Sequence, residues 1–289
     1  MGDLKIWDVQ NVDVGRRSII VSPPEPPADF LMADPRDSIY LGRTSVFNVP
    51  FHWTFKRLTN PHIAITGITG SGKSYLIKTF LLRASLVMNS NAIIIDWAGE
   101  YKAWVKQVGG IVFALGRGSY LNLMDLGGMK PSYRIKQIVR SLEILTDVGQ
   151  YPEQRRLIEQ AIETTYVRAG FRLAEKEQKD SLGKLLKPPT LKDVQKVLQE
   201  LLENGTYEFP AELENAIYKI KRFTLEGDDY FAEQSTIDLD KLLTSGLVAM
   251  DLSGLPDETF RALGALTILQ YVKEKMRFEG WKPDKGVKL

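Results

Sequence analysis

The stretch Gly67-Ile-Thr-Gly-Ser-Gly-Lys-Ser74 constrains the fold more than any other part of this chain. It meets the pattern G-x-x-x-x-G-K-[ST] at every defined position. Before it, HIAIT is a short apolar run of strand type. After it, SYLIKTFLLRASLVM repeats apolar residues at helical spacing. Strand, glycine loop and helix in that order build a cradle for phosphate. Backbone N–H groups from Thr69 to Ser74 can turn inward at the start of a helix and form an anion nest. Gly67, Gly70 and Gly72 permit the dihedrals and the close approach. Lys73 is placed to reach the β- and γ-oxygens of a triphosphate, and Ser74 to put its hydroxyl on Mg²⁺. The predicted nucleotide-binding set is Gly67, Ile68, Thr69, Gly70, Ser71, Gly72, Lys73, Ser74 and Tyr75, with ATP and Mg²⁺ as ligands. Lys73 is also expected to act catalytically.

The rest of the chain reads as α/β with a mainly parallel sheet. NAIIIDW is continuous, apolar and β-branched, as in a strand covered on both faces. EYKAWVKQ reads as a short helix and GGIVFAL as a third strand. From Pro131 to about Gly227 the pattern is helical, in PSYRIKQIVRSLEIL, PEQRRLIEQAIETTYVRAGF, TLKDVQKVLQELLENG and PAELENAIYKIKRF. Pro152 and Pro210 stand in first-turn positions, Thr190 with Asp193 forms a capping pattern, and Gly205 closes a helix. Between them, AEKEQKDSLGKLLKPP reads as a solvated loop. Strand character returns in STIDLDKLL and GLVAMDLSGL. DETFRALGALTILQYVKEKMRF is a helix with Asp257 and Glu258 in its first turn. Upstream, the proline cluster of IIVSPPEPPADF is a stiff connector, and SIYLGRTS and FNVPFHW are two short strands. The expected layout is an N-terminal extended and β lead-in over 1–57. A P-loop core covers 58–130 and 227–289, and an all-helical insertion covers 131–226.

Other candidate residues follow the sheet. Asp96 and Glu100 in IIIDWAGEY lie past the carboxyl end of a strand, where open α/β folds bind ligands. Glu100 is a candidate catalytic carboxylate, weighed against a helix cap at Asp96 and a first-turn acid at Glu100. Asp251, ending LVAMD, is a candidate metal carboxylate, but Leu252 follows where a catalytic Glu is common. The acidic strand is therefore expected beyond Leu289. Arg117 and Arg222 are candidate trans-acting arginines, each weighed against an ordinary surface or ion-pairing role. His52 and His62 read as structural. The net charge of +2 points to no polyanion by itself, so a nucleic-acid surface would have to be a local patch. With no cysteine, the chain has no disulfide framework and no thiolate site. No apolar run reaches membrane-spanning length, so a cytoplasmic protein is expected, with any membrane attachment made through partners.

LTNPHIAITGITGSGKSYLIK, then IIIDWAGEY, then ALGRGSYLNLMDL resemble the HerA/FtsK superfamily of ring-forming motor ATPases. The GEY after the second strand and the IYLGR…VPFHW lead-in are similar to HerA-like translocases. The stretch IKRFTLEGDDYFAEQSTIDLDKLLTSGLVAMDLSGL is similar to conjugation and type IV secretion motors, as is the helical insertion. The resemblance spans about Ser38 to Gly280. It implies a RecA-like P-loop NTPase fold and a homo-oligomeric ring, usually a hexamer, with ATP bound between subunits. It also implies translocation of DNA or a protein–DNA substrate, membrane-associated secretion or transfer machinery as partner, and an acidic strand later than LVAMD. Two other readings stand beside it. One is a nucleotide-binding assembly module without hydrolysis. The other is a P-loop small-molecule kinase, against which the GEY block argues.

Overall fold

The computed structural model describes residues 10–12, 17–19, 25, 26, 31–54, 60, 62–205, 207–239, 241 and 245–278. Most of the proline cluster and the run after Phe278 lie outside them. The chain divides into two compact units, one ending at Ser90 and the other beginning at Asn91.

In the first unit, β1 (Gln10–Val12) pairs antiparallel with β2 (Arg17–Ile19). Strands β3 (Ile39–Arg43) and β4 (Pro50–Trp53) form a second antiparallel pair, with Ile39 opposite Trp53 and a register shift between Tyr40 and Gly42. These are the two short strands the sequence predicts. Helix α1 (Lys73–Met88) closes over this pair. Ile39, Trp53 and Ala84 are buried together, ringed by Leu41, Phe51, Phe80 and Met88. Trp53 meets Phe80 edge-on at 5.2 Å, and the Arg83 guanidinium lies over the Tyr40 ring at 5.1 Å. The run HIAIT departs from expectation. Residues 62–66 form no strand, and all but Ile65 are exposed. An apolar run specifies that a segment can pair, but a strand exists only where a second chain segment supplies the ladder.

The second unit is built on a parallel sheet of order β5-β7-β6. Strand β5 is Ala92–Asp96, β6 is Ile111–Ala114 and β7 is Leu247–Asp251. Central β7 is the most deeply buried, with Val248, Ala249 and Met250 fully enclosed. Parallel strands need crossovers, and helix α2 (Lys102–Gln107) lies in the short one from β5 to β6, which flank β7. The long crossover from β6 to β7 contains the helical insertion: α3 (Pro131–Leu145), α4 (Pro152–Arg168), α5 (Leu191–Glu203) and α6 (Pro210–Lys221). Three of these start on proline, which fixes a helical φ where no amide donor is needed. Thr190 and Asp193 form the full capping box on α5. Gly205 follows that helix at φ +62°, its amide donating to Leu202 O at 3.1 Å.

The final helix, α7, covers Glu258–Phe278. Asp257 stands just before it rather than inside its first turn, and its carboxylate accepts from Phe260 N at 3.0 Å. STIDLDKLL forms no strand over its described residues. It runs beside Tyr120–Asn122 instead. Thr236 N donates to Tyr120 O at 3.0 Å, Tyr120 N to Thr236 Oγ1 at 2.9 Å, and Asn122 N to Ser235 Oγ at 2.8 Å. Hydroxyls occupy positions that backbone carbonyls hold in a ladder, so the hydrogen bonds form without a sheet.

Candidate nucleotide site

The glycine loop lies in the first unit. Gly67 to Gly72 turn directly into α1, whose first residues are Lys73, Ser74 and Tyr75. Gly70 and Gly72 have φ of +82° and +87°, a region that side-chain-bearing residues rarely enter. Gly72 is thereby the helix cap, with Leu76 N donating to its carbonyl at 2.9 Å. Gly67 serves a different end. A Cβ there would stand 2.6 Å from Ser71 Oγ, so any other residue would force the Ser71 hydroxyl aside. Ser71 N donates to Ile68 O at 3.2 Å and tightens the turn. The Lys73 ammonium folds over the loop, donating to Gly67 O at 2.9 Å and Ile68 O at 2.8 Å. Ile68 and Tyr75 are about four-fifths exposed, 81% and 77%.

This arrangement fits an anion. The amides of Thr69, Gly70, Gly72 and Lys73 have no hydrogen-bond partner among the described residues. They stand at the positive end of the α1 dipole, beside a lysine whose present acceptors are neutral carbonyls. Phosphate oxygens would satisfy those donors and draw the ammonium off its carbonyls.

The carboxylates belong to the second unit. Asp96 and Asp251 are register partners at the carboxyl ends of β5 and β7. Both are buried, at 2% and 1% exposure. Asp96 accepts three backbone amides: Gly99 at 2.9 Å, Glu100 at 3.0 Å and Tyr101 at 2.8 Å. Its carboxylate organises the turn that precedes α2, but it does not cap that helix, whose N-cap is Tyr101 with no side-chain cap, and Glu100 stands before the first turn rather than in it. Glu100 is exposed on that turn. On Asp251, Oδ1 accepts from Ser253 N at 3.0 Å and Ser253 Oγ at 2.6 Å, and Oδ2 accepts from Lys102 Nζ at 3.1 Å. Burial pushes the Asp251 carboxyl up, but the Ser253 and Lys102 donors outweigh it and hold the group below the ordinary carboxylate range. Gly99 lies tight against this cluster, its site for a Cβ 2.8 Å from Ser253 Oγ.

Ser253 and Lys102 were not singled out in the sequence. A serine two residues past a strand-ending aspartate is a local turn signal. Lys102 lies 149 residues from Asp251, and no local pattern joins them. The same holds for the segment Leu121–Asp125. Arg134 is fully enclosed there and donates twice to Leu123 O, at 3.1 and 2.8 Å.

The candidate arginines separate. Arg222 is held by Asp257 at 2.8 Å, in the ion-pairing role. Arg117 is exposed on a turn closed by Ser119 N donating to Gly116 O at 3.0 Å, and has no polar partner among the described residues. His52 Nδ1 lies 3.2 Å from Ser38 Oγ, and His62 is exposed. Among the described residues, no cluster of three His, Asp or Glu could hold a metal, and no helix is long and apolar enough to cross a membrane.

The chain is similar in structure to VirB4 of Thermoanaerobacter pseudethanolicus, with a TM-score of 0.67 and 22% identity. The likeness covers 85% of this chain and 65% of the VirB4 chain, so this sequence spans just under two-thirds of that relative. With the glycine loop and the parallel sheet, it identifies a RecA-like P-loop α/β fold. A comparison with curated proteins finds no match. The family model for the central domain of the helicase HerA matches residues 39–271, most of the sequence and all of the elements from β3 through β7. The chain belongs to the HerA helicase central-domain family.

Proposed function

We propose that this chain binds Mg·ATP on Gly67–Ser74 and serves as the ATPase subunit of a ring, a hexamer, that moves DNA or a protein–DNA substrate. The observation that carries the reading is the loop itself: four unpartnered amides, two left-handed glycines and a lysine folded over the same turn. Lys73 would leave Gly67 O and Ile68 O to neutralise the β- and γ-phosphates. Ser74 would offer its hydroxyl to the metal, which supplies charge neutralisation at the phosphates when bound. Asp251 already receives donors on both oxygens, so its role is to fix the turn around Gly99 and Ser253. Glu100, exposed on the turn that Asp96 clamps, would be the catalytic carboxylate in this reading. Localisation is cytoplasmic, with any secretion or transfer machinery at the membrane reached through partners.

The test is a titration of ATP against the wild-type chain and Lys73→Ala. The variant should lose nucleotide binding, and ATP affinity kept at the wild-type level would remove the site. One observation favours a second reading, in which ATP drives assembly without turnover. Both buried carboxylates at the sheet edge, Asp96 and Asp251, are committed to structural hydrogen bonds. Phosphate release separates the two readings, because an assembly module would change size with ATP at zero turnover.

A further inference from the structure

The insertion and the final helix share a surface that the nucleotide site does not use. Helices α3 and α7 pack antiparallel. At one end of the seam, Tyr133 Oη donates to Glu274 Oε1 at 3.0 Å. Further along, Gln270 Nε2 donates to Ser141 Oγ at 2.9 Å. Flanking this seam, α3 exposes Lys136 and Arg140, and α7 exposes Lys273 and Arg277. The Arg140 and Arg277 side chains are 72% and 64% exposed. Each pair is four residues apart, a rise of about 6 Å along its helix, the order of the distance between neighbouring phosphates on one strand.

The acids nearby do not cancel this charge. Glu274 is 1% exposed beneath the face, bound by Tyr133 and lying 3.8 Å from Arg277. Glu143 is engaged by Arg155 as well as by Arg140. Lys136 and Lys273 have no polar partner among the described residues. In a chain of net charge +2, four cations on one face are a local concentration, not a share of a general excess. Tyr133 is 36% exposed on this face and its hydroxyl accepts from Arg277 Nη1 at 3.4 Å. The face lacks the broad apolar stripe with which a helix enters a lipid surface.

We infer that the α3–α7 face binds the phosphate backbone of nucleic acid, with Lys136, Arg140, Lys273 and Arg277 as its phosphate contacts. The inference rests on the DNA-translocation reading and adds to it a place on the molecule. Contacts of this kind carry no sequence preference and are strongly salt-dependent.

The experiment is fluorescence anisotropy of a labelled DNA duplex with the whole chain, across about 50–200 mM salt, where contact with four phosphates gives a log–log slope of about −3 to −4. Lys136→Glu with Lys273→Glu should weaken binding at least tenfold and flatten the slope by about 2, and Lys136→Arg with Lys273→Arg should preserve both. All these changes are at exposed positions, and circular dichroism melting of each variant reports its folding. If the wild type binds duplex and the glutamate pair matches it in affinity and slope, the surface is wrong while the DNA reading stands. If the wild type binds no duplex, both fall. Capture of the wild type by phosphatidylserine vesicles but not by duplex would also overturn the inference.

Discussion

At the scale of single residues, two aspartates at equivalent places on adjacent strands are held by different means. Asp96 is satisfied by the backbone of its own turn, so a local segment carries all the information for its environment. Asp251 depends on Lys102, a contact between residues 149 apart. Replacing Asp96 with Ala would remove the carboxylate that three amides donate to, and the expected loss is about 3–5 kcal/mol of stability in urea unfolding. An unchanged midpoint would show that the turn is held by something else. Asp251 makes a pH prediction. Its folded-state carboxyl is held below the ordinary range, so its contribution is present above the unfolded value, about pH 4, and fades as pH falls through the folded value. Asp251→Asn should therefore be less stable than wild type at pH 7, by roughly 1–3 kcal/mol, with the gap closing in acid. Thermal melts between neutral and acidic pH measure that gap, and one that widened in acid would contradict the assigned direction.

At the scale of elements, the helices of the insertion were legible and the strands only in part. Helices α3 to α6 stand where the 3.6-residue apolar period and the prolines put them, because their hydrogen bonds and caps are local. The capping box on α5 is one such local signal. Thr190→Ala should cost about 1 kcal/mol, read as a lower melting midpoint. Leu198 is fully buried on the same helix, and Leu198→Ala should cost more, about 2–5 kcal/mol, since it leaves a cavity in the core of the insertion. The reverse order of the two effects would mean that α5 is held by its ends more than by its packing. For strands, the apolar runs at β5, β6 and β7 found ladder partners, whereas HIAIT and the described residues of STIDLDKLL form no strand. Their compositions do not separate the groups. Pairing does, and pairing is non-local.

For the molecule as a whole, the proposed ligand is also a measurable stabiliser. A ligand that binds only the folded state at a hundred times its Kd adds about 2.7 kcal/mol. Mg·ATP should therefore raise the melting temperature of the wild-type chain and leave Lys73→Ala unmoved. An equal shift in both would place the nucleotide away from the loop.

The amino-acid sequence was enough for the glycine loop, helices α3 to α6, the α/β class and the family resemblance that the match over 39–271 bears out. These features rest on residue type and short spacing, because a glycine at positive φ, a capped helix or a buried apolar run is specified within a few neighbours. The tertiary structure was needed for the order β5-β7-β6, the ion pair of Asp251 with Lys102, and the meeting of α3 with α7 that gathers four cations onto one face. Each joins segments scores of residues apart. Which distant segments meet is set by the burial of the whole core, and no local pattern records it.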